Sequence, residues 1–141
     1  MSGFVPESNL HCLLDTVPDI VTEVGPDYRY RFMNRVSLDN FGFELEDVVG
    51  RTVAEVLGET VFNEEICPRL DRALAGEQVE YARWFDFPKT GRRWIKVCYL
   101  PIRDEDGSIS GVCVRSIDET ELLRSERQRE RLTRKMETIK E

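Results

Sequence analysis

Three strand-like runs in the second half of the chain, separated only by tight turns, constrain the fold more than any other feature. Each run is rich in β-branched and aromatic residues, and the last two flank Asp104-Glu105-Asp106-Gly107. An Asp-Gly turn between apolar runs is typical of a β-hairpin. The runs therefore predict neighbouring antiparallel strands over residues 78–87, 93–103 and 108–117.

The first half of the chain contains two more predicted strands and then a series of short helices. The two strands, 19–24 and 28–32, flank a Gly25-Pro26-Asp27 turn. Pro68 should kink or split the longest helix. Strands, then helices, then strands predict an α+β fold on an antiparallel sheet. The predicted helices cover residues 35–40, 44–48, 52–57 and 60–75.

The two strands of the last hairpin carry large apolar side chains on both faces. If Glu105 and Asp106 alone form the loop, Cys98 lies opposite Cys113. A sheet with one solvated face alternates apolar with polar residues, so both faces here must be covered. The two thiols would lie near disulfide reach, either as a redox-sensitive pair or as inert side chains. One face comprises Ile95, Val97, Tyr99, Val112, Val114 and Ser116, and the other Trp94, Lys96, Cys98, Leu100, Cys113, Arg115 and Ile117.

A predicted N-terminal helix can cover the second of these faces. Its leucine stripe has helical spacing, and it can come from the same chain or from a partner. We therefore expect a parallel homodimer in which these helices and the outer sheet faces pack together. The predicted dimer face comprises Leu10, Leu13, Leu14, Trp94, Leu100 and Ile117.

The first face should meet the helices and enclose either a solid core or a cavity for a small molecule. Its residues are mostly apolar with a few hydroxyl and amide groups, a mixture found in ligand pockets and in plain cores. The register of residues 78–87 stays open, because aromatic residues occur on both sides of that strand. The candidate pocket residues are Thr22, Phe32, Asn34, Phe41, Val56, Ile66, Leu70, Val97, Tyr99, Val114 and Ser116.

The last segment of the chain is predicted to be a charged helix. Asp118 can cap it, with Glu121 at the third helical position. A stripe at three- and four-residue spacing follows, in which four of six residues are apolar, so it forms a weak coiled-coil seam by itself. The helix could end the chain in solvent, but we favour a connector. We expect a helical cap over residues 1–17, a core over 18–118 and a linker helix over 119–141. The stripe is Leu122, Ser125, Arg129, Leu132, Met136 and Ile139.

The charge of the chain and its scarcity of reactive residues argue against several functions. A net charge of −7 argues against nucleic acid and against direct contact with an anionic membrane. We expect no membrane span and no signal peptide, and the four cysteines are not closely spaced, so a cytoplasmic location is expected. The single histidine, His11, has no matching nucleophile or ligand, so we expect neither an enzyme nor a metal site.

Several segments, in order, resemble the PAS domains of bacterial signalling proteins over about residues 10–125. The segment from Leu13 to Ile20 is similar to the family's first helix running into its first strand. Tyr30-Arg31-Phe32-Met33-Asn34 is similar to a second strand that ends in asparagine, and Gly91-Arg92-Arg93-Trp94 to one of the last strands. Asp118-Glu119-Thr120 resembles the Asp-x-Thr motif before the exit helix, although Ile or Val is usual in place of Glu119.

The resemblance implies a five-stranded antiparallel sheet with helices on one face, an N-terminal capping helix and a C-terminal linker helix. It implies a sensory module that dimerises, can bind a small ligand and signals through Asp118 and Thr120. The expected partner is a C-terminal effector domain, a histidine kinase or a diguanylate cyclase. A ligand-independent dimerisation scaffold and a flavin or haem sensor are the alternatives.

The residues argue against flavin and haem, the two cofactors that the resemblance suggests. Cys67 lacks the polar neighbours of the flavin-reactive cysteine in the related photosensory LOV domains. His11 is the one histidine that could ligate haem, and it lies in the predicted N-terminal helix. The identity of any cofactor therefore stays open.

Overall fold

A computed structural model describes residues 19–140 of the chain and contains a five-stranded antiparallel sheet. The strand order is β2-β1-β5-β4-β3, and the short helices between β2 and β3 pack on one face of the sheet. The predicted α+β fold is thereby confirmed. The predicted N-terminal helix, with Leu10, Leu13 and Leu14, lies outside the described residues. The elements are β1 (Ile20–Val24), β2 (Tyr30–Met33), α1 (Arg35–Phe41), a 3₁₀ turn (Leu45–Asp47), α2 (Val53–Leu57), α3 (Glu59–Val61), a π-helical turn (Phe62–Ile66), α4 (Cys67–Leu74), β3 (Val79–Phe87), β4 (Gly91–Arg103), β5 (Ile109–Asp118) and α5 (Thr120–Lys140).

The hydrophobic core forms where the inner face of the sheet meets these helices. Val97 and Tyr99 of β4 and Val112 of β5 are almost fully buried, and Leu70 of α4 is fully buried in the same cluster. Every second residue of β4 faces this core because side chains alternate along a strand. Each aliphatic side chain buried in this way stabilises the fold by about 2 kcal/mol.

The predicted register of the β4–β5 hairpin is wrong by two residues. Cys98 lies opposite Arg115, and Cys113 lies opposite Leu100, so the predicted pairing of the two thiols is also wrong. The loop is longer than expected, because the Gly107 N–H donates to the Asp104 carbonyl and the Asp104 N–H donates to the Ser108 carbonyl.

The loop and a bulge together explain this shift. Three residues, ending at Gly107 with φ +86°, separate the paired Asp104 and Ser108. A left-handed glycine at this position is usual for a three-residue hairpin loop. The pairing shifts by one more residue between Ile102 and Arg103. Because the total shift is two, every side chain stays on its predicted face.

The structure also decides which side of β3 faces the helices. Tyr81 lies opposite Val97, and Arg83 lies opposite Ile95, so both are on the inner face. Trp84 lies opposite Trp94 on the outer face, where the two indole rings meet edge to face with centroids 5.4 Å apart.

Asn34 joins the first strand to the first helix. Its side-chain oxygen accepts hydrogen bonds from the Ser37 N–H at 3.2 Å, which caps α1, and from the Val21 N–H at 3.0 Å. Its amide nitrogen donates to the Asp19 carbonyl at 2.8 Å. Asn34 is fully buried by these contacts. The prediction that Asn34 lines the pocket is therefore wrong, because its side chain forms hydrogen bonds with the backbone instead.

The long helix predicted over residues 60–75 is interrupted, as Pro68 indicated. The π-helical turn Phe62–Ile66 precedes α4, and Pro68 lies in the first turn of α4. Proline is tolerated there because the first N–H groups of a helix have no partner within the helix.

Asn34→Ala should lower the free energy of unfolding by about 3 kcal/mol, because it removes the cap of α1 and leaves the Val21 N–H buried without its acceptor. Thr52→Ala is a matched control, since the Thr52 hydroxyl caps α2 with one bond, to the Glu55 N–H. It should cost about 1 kcal/mol. Urea unfolding followed by circular dichroism measures both, and equal losses would contradict the role assigned to Asn34.

Candidate functional site

A cavity of about 480 Å³ lies between the inner face of the sheet and the helical segment. This volume is within the range of about 300–1,000 Å³ that small-molecule sites occupy. The helical side of its wall comprises Phe41, Val53, Leu57, Val61, Glu65, Ile66 and Leu70. The sheet side comprises Ile20, Thr22, Val24, Tyr30, Tyr81, Arg83, Trp84, Phe85, Asp86, Phe87, Pro88, Ile95, Val97, Tyr99, Val114 and Ser116.

The structure brings most of the predicted pocket residues together on this wall. They are Thr22, Phe41, Ile66, Leu70, Val97, Tyr99, Val114 and Ser116. Phe32 is not among them, because it pairs with Glu23 and so lies on the opposite face of the sheet from Thr22 and Met33. Val56 packs against the core without lining the cavity, and Asn34 caps α1.

Sequence reasoning missed Tyr30 and the aromatic side chains of β3. The sequence predicts that Tyr30 lies in a strand but does not assign it to a face of the sheet. The pairing of Val24 with Tyr30 places Tyr30 on the same face as Thr22, and this pairing is known only from the structure. Phe85 and Phe87 were missed because the alternation of β3 is aromatic on both sides. The pairing with β4 places them on the cavity side.

The polar groups inside the cavity are hydroxyls. Tyr30 lines the cavity and is 5% exposed. Burial raises the pKa of Tyr30, so it stays a neutral phenol. Burial, and next the neighbouring Tyr81, raise the pKa of Tyr99 as well. Thr22 and Ser116 add two aliphatic hydroxyls to the same wall.

Two charged residues on the cavity wall, Arg83 and Glu65, compensate each other. The Arg83 guanidinium forms an ion pair with the Glu65 carboxylate. The Arg69 guanidinium donates to the Glu65 carbonyl and lies 3.7 Å from the centre of the Tyr81 ring, a cation–π contact. Arg83 lies in the same way over Phe85, at 4.0 Å. Asp86, the other acidic residue on the wall, is exposed and alternates with Arg83 and Phe85 along β3, so its side chain belongs to the outer face of the sheet.

Cys67 does not line the cavity. Its thiol lies 3.6 Å from the Asp71 carboxylate, to which the Tyr28 hydroxyl also donates at 2.5 Å. Burial and the adjacent Asp71 carboxylate raise the pKa of the Cys67 thiol, which disfavours the reactive thiolate. This arrangement does not fit a flavin-reactive cysteine. His11, the one candidate for a haem ligand, lies outside the described residues.

A second cluster, here called the exit cluster, joins the sheet to α5 and consists of Arg93, Trp94, Asp118, Thr120 and Glu121. The fully buried Thr120 accepts from the Trp94 N–H at 2.8 Å and donates from its hydroxyl to Asp118 at 2.6 Å. Asp118 also accepts from the Thr120 N–H at 3.0 Å and from Arg93 at 2.7 Å. Glu121 contacts Arg93 at 3.6 Å.

The start of the last helix differs in detail from the predicted cap. Asp118 binds the N–H two residues further on, so α5 begins at Thr120, and the Glu121 carboxylate contacts Arg93 and Arg124. Burial alone would raise the pKa of Asp118, but the hydrogen bonds from Arg93 and Thr120 outweigh it and lower that pKa. The carboxylate is thus held ionised between the end of the sheet and the start of the helix.

Three of the predicted dimer-face residues lie on the outer face of the sheet. Trp94, Leu100 and Ile117 are half-buried, and the other three lie outside the described residues. Ion pairs share this face with them, including Lys96 with Glu80 at 3.2 Å and Arg115 with Asp19 at 2.6 Å.

Within residues 19–140, no helix is both long and apolar enough to cross a membrane. Over the same residues, no three histidine, cysteine or carboxylate side chains form a group that could hold a metal ion. Cys67, Cys98 and Cys113 are free thiols.

A protein-family model described as PAS fold matches residues 14–124. Comparison with curated proteins gives no match. Among solved structures, the PAS domain of Bordetella pertussis BvgS is 26% identical and superimposes with a TM-score of 0.66, over 88% of this chain and 96% of that one.

Two further solved structures share the fold at lower identity. Phage VqmA in complex with DPO is 18% identical, with a TM-score of 0.72 over 89% of this chain and 58% of that one. An RNA-binding Light-Oxygen-Voltage receptor is 18% identical, with a TM-score of 0.61 over 98% of this chain and 40% of that one.

A double-mutant cycle on Arg93→Gln and Asp118→Asn should give a coupling of about 1 kcal/mol in the free energy of unfolding, because the pair is partly exposed. Arg115→Gln with Asp19→Asn is a control pair away from α5. Only the exit-cluster cycle should also change how well α5 is protected from hydrogen exchange. Equal effects of both cycles on the hydrogen exchange of α5 would contradict the conclusion that the exit cluster attaches α5 to the sheet.

The lowered pKa of Asp118 predicts a specific loss of stability in acid. Its contribution is complete above the ordinary value of 3.8 and is lost as the pH falls through the lower value of the folded state. Asp118→Asn should therefore flatten the decline of stability as the pH falls from 3.8 to the lower pKa of the folded state. Urea unfolding across this range measures the slope, and a slope identical to that of the unsubstituted chain would show that Asp118 is not held ionised.

Proposed function

The chain belongs to the PAS-fold family, and from that premise we propose that it is a sensory module that binds a small, uncharged molecule in its cavity and signals through α5. The observation that carries this proposal is the 480 Å³ cavity itself, whose largely apolar wall includes the hydroxyl-bearing Tyr30, Tyr99, Thr22 and Ser116. A hydrogen bond between a ligand and one of these hydroxyls would contribute about 0.5–1.5 kcal/mol to binding.

The character of the wall supports a planar, neutral ligand with a hydrogen-bonding edge. Phe41, Tyr81, Phe85 and Phe87 offer aromatic surfaces, and Tyr30, Tyr99, Thr22 and Ser116 offer hydroxyls. A charged ligand would have to displace Glu65 from Arg83 or stay unpaired in an apolar site, which is costly. Phage VqmA, which shares the fold, was solved in complex with DPO.

The connection from cavity to α5 is short. Ser116 lines the cavity two residues before Asp118, and Ile95 lines it next to Trp94, whose N–H binds Thr120. A ligand that shifts the end of either strand therefore acts directly on the exit cluster. If the ligand binds more tightly to the protein when α5 is in one of two positions, it increases the population of that position.

We further propose that the role is regulatory rather than catalytic and that the module is cytoplasmic. We propose that Asp118 and Thr120 pass the signal to an effector domain, a histidine kinase or a diguanylate cyclase, in a homodimeric protein. Net charge of −7 disfavours direct contact with nucleic acid or an anionic membrane. A scaffold that dimerises without a ligand would have the same fold but would be indifferent to the chemistry of the cavity wall.

The test is native mass spectrometry of the purified chain for a co-purified small molecule, followed by binding measurements with that molecule. Tyr30→Phe should weaken its binding about tenfold, because the phenylalanine keeps the shape and removes one buried hydrogen bond. Tyr28→Phe removes a hydroxyl that binds Asp71 outside the cavity and should leave binding unchanged.

Two outcomes would contradict the proposal. Equal effects of the two substitutions would show that the molecule does not bind at the Tyr30 hydroxyl. A chain that carries no molecule, and whose melting temperature responds to no neutral aromatic compound in a broad screen, would support the scaffold.

A further inference from the structure

The helical side of the cavity wall is attached to the sheet at its β2 edge by the main chain. The Val53 N–H donates to the Tyr28 carbonyl at 2.8 Å, and the Tyr30 N–H donates to the Arg51 carbonyl at 2.9 Å. The Tyr28 hydroxyl also reaches Asp71 of α4 at 2.5 Å. Tyr30 and Val53 are 5% and 1% exposed, so this edge of the cavity is closed.

The opposite edge, at β3, is held by side chains. Within residues 19–140, no backbone hydrogen bond joins α3, the π-helical turn or α4 to β3. The Glu65 carboxylate instead forms its ion pair with Arg83 of β3, and the Glu65 carbonyl accepts from Arg69, whose guanidinium lies over the Tyr81 ring of β3. These three residues, Glu65, Arg69 and Arg83, are here called the Glu65 clamp.

The Glu65 clamp lies at the boundary between the cavity and the solvent. Glu65 and Arg83 both line the cavity, yet their side chains are 35% and 43% exposed. Because the β2 edge is closed by buried side chains, the shortest way into the cavity is past this ion pair.

The backbone around the clamp has the features of a movable segment. Gly58, with φ +100°, and Gly76, with φ +103°, flank residues 59–75. Glu65 lies in the π-helical turn Phe62–Ile66, a type of turn that is rare and is frequent at functional sites. Hinges are usually a few residues at the ends of such elements. A partly exposed ion pair contributes little to stability, so its opening costs little free energy.

We propose that the Glu65 clamp is the gate of the cavity. A ligand enters and leaves between the π-helical turn and β3 when Glu65 releases Arg83 and residues 59–75 move about Gly58 and Gly76. This inference rests on the proposed function, since it takes the cavity as the binding site. The gate controls how fast a ligand exchanges rather than how tightly it binds, because the ion pair is broken only while the ligand passes.

Stopped-flow fluorescence tests the gate with N-phenyl-1-naphthylamine, a neutral aromatic probe that becomes brighter in apolar surroundings. Glu65→Gln should raise the association and dissociation rate constants of the probe about threefold each and leave its dissociation constant almost unchanged. Glu64→Gln makes the same change of charge on the neighbouring exposed residue, which forms no ion pair with a described residue, and should change neither rate. A weaker affinity of Glu65→Gln without faster association would show that Glu65 is only part of the wall and would overturn the proposal.

A double substitution tests whether Glu65 and Arg83 act as one contact. Arg83→Gln should accelerate exchange of the probe as Glu65→Gln does, and the two together should be no faster than either alone. Raising the salt concentration should accelerate exchange in the unsubstituted chain but not in Glu65→Gln, because salt screens a partly exposed ion pair. Accelerations that multiply in the double substitution would overturn the gate.

Labelling of a thiol inside the cavity separates failure of the gate from failure of the proposed function, because it requires no reversible ligand. Val97 lines the cavity and is 5% exposed, so Val97→Cys places a thiol behind the clamp. N-ethylmaleimide, a neutral reagent, should label position 97 about threefold faster when Glu65→Gln is added, as measured by mass spectrometry of peptides. Labelling of Cys98, which lies on the outer face, is the internal control and should not change.

The outcomes of the two measurements are distinct. If the probe does not bind but labelling of position 97 accelerates, the gate stands and the proposed function loses support. Binding of the probe with equal labelling of position 97 in the presence and absence of Glu65→Gln would overturn the gate and leave the proposed function intact. Equal labelling without any binding of the probe would contradict both.

Discussion

The pairing of β4 with β5 is the constraint on which the rest of the molecule depends. It runs from Ile95 opposite Asp118 to Arg103 opposite Ile109 and includes the two central strands that form much of the cavity wall. The same hairpin supplies Trp94 and Asp118 to the exit cluster. One pair of strands therefore carries both part of the cavity wall and the attachment of α5.

The distribution of charge separates the two sites chemically. The cavity offers neutral hydroxyls, two of them on tyrosines whose pKa is raised by burial, and its charged neighbours Glu65 and Arg83 neutralise each other. The exit cluster instead depends on an ionised carboxylate that Arg93 and Thr120 hold against the cost of burial. Ligand binding would therefore be little affected by moderate changes of pH and salt, whereas the attachment of α5 depends on an ion pair.

The amino-acid sequence alone determined the order of elements, the faces of β4 and β5, the break at Pro68 and the motif Asp118-Glu119-Thr120, because alternation, proline chemistry and capping are local properties. It predicted the faces correctly despite a register wrong by two residues, since a strand repeats every two. The tertiary structure decided what depends on distant partners: the loop and bulge that set the Cys98–Arg115 pairing, the side of β3 that faces inward, and the commitment of Asn34 to Val21 and Asp19. It also decided which hydroxyl-bearing residues line the cavity, because only the assembled wall shows which side chains from distant strands meet there.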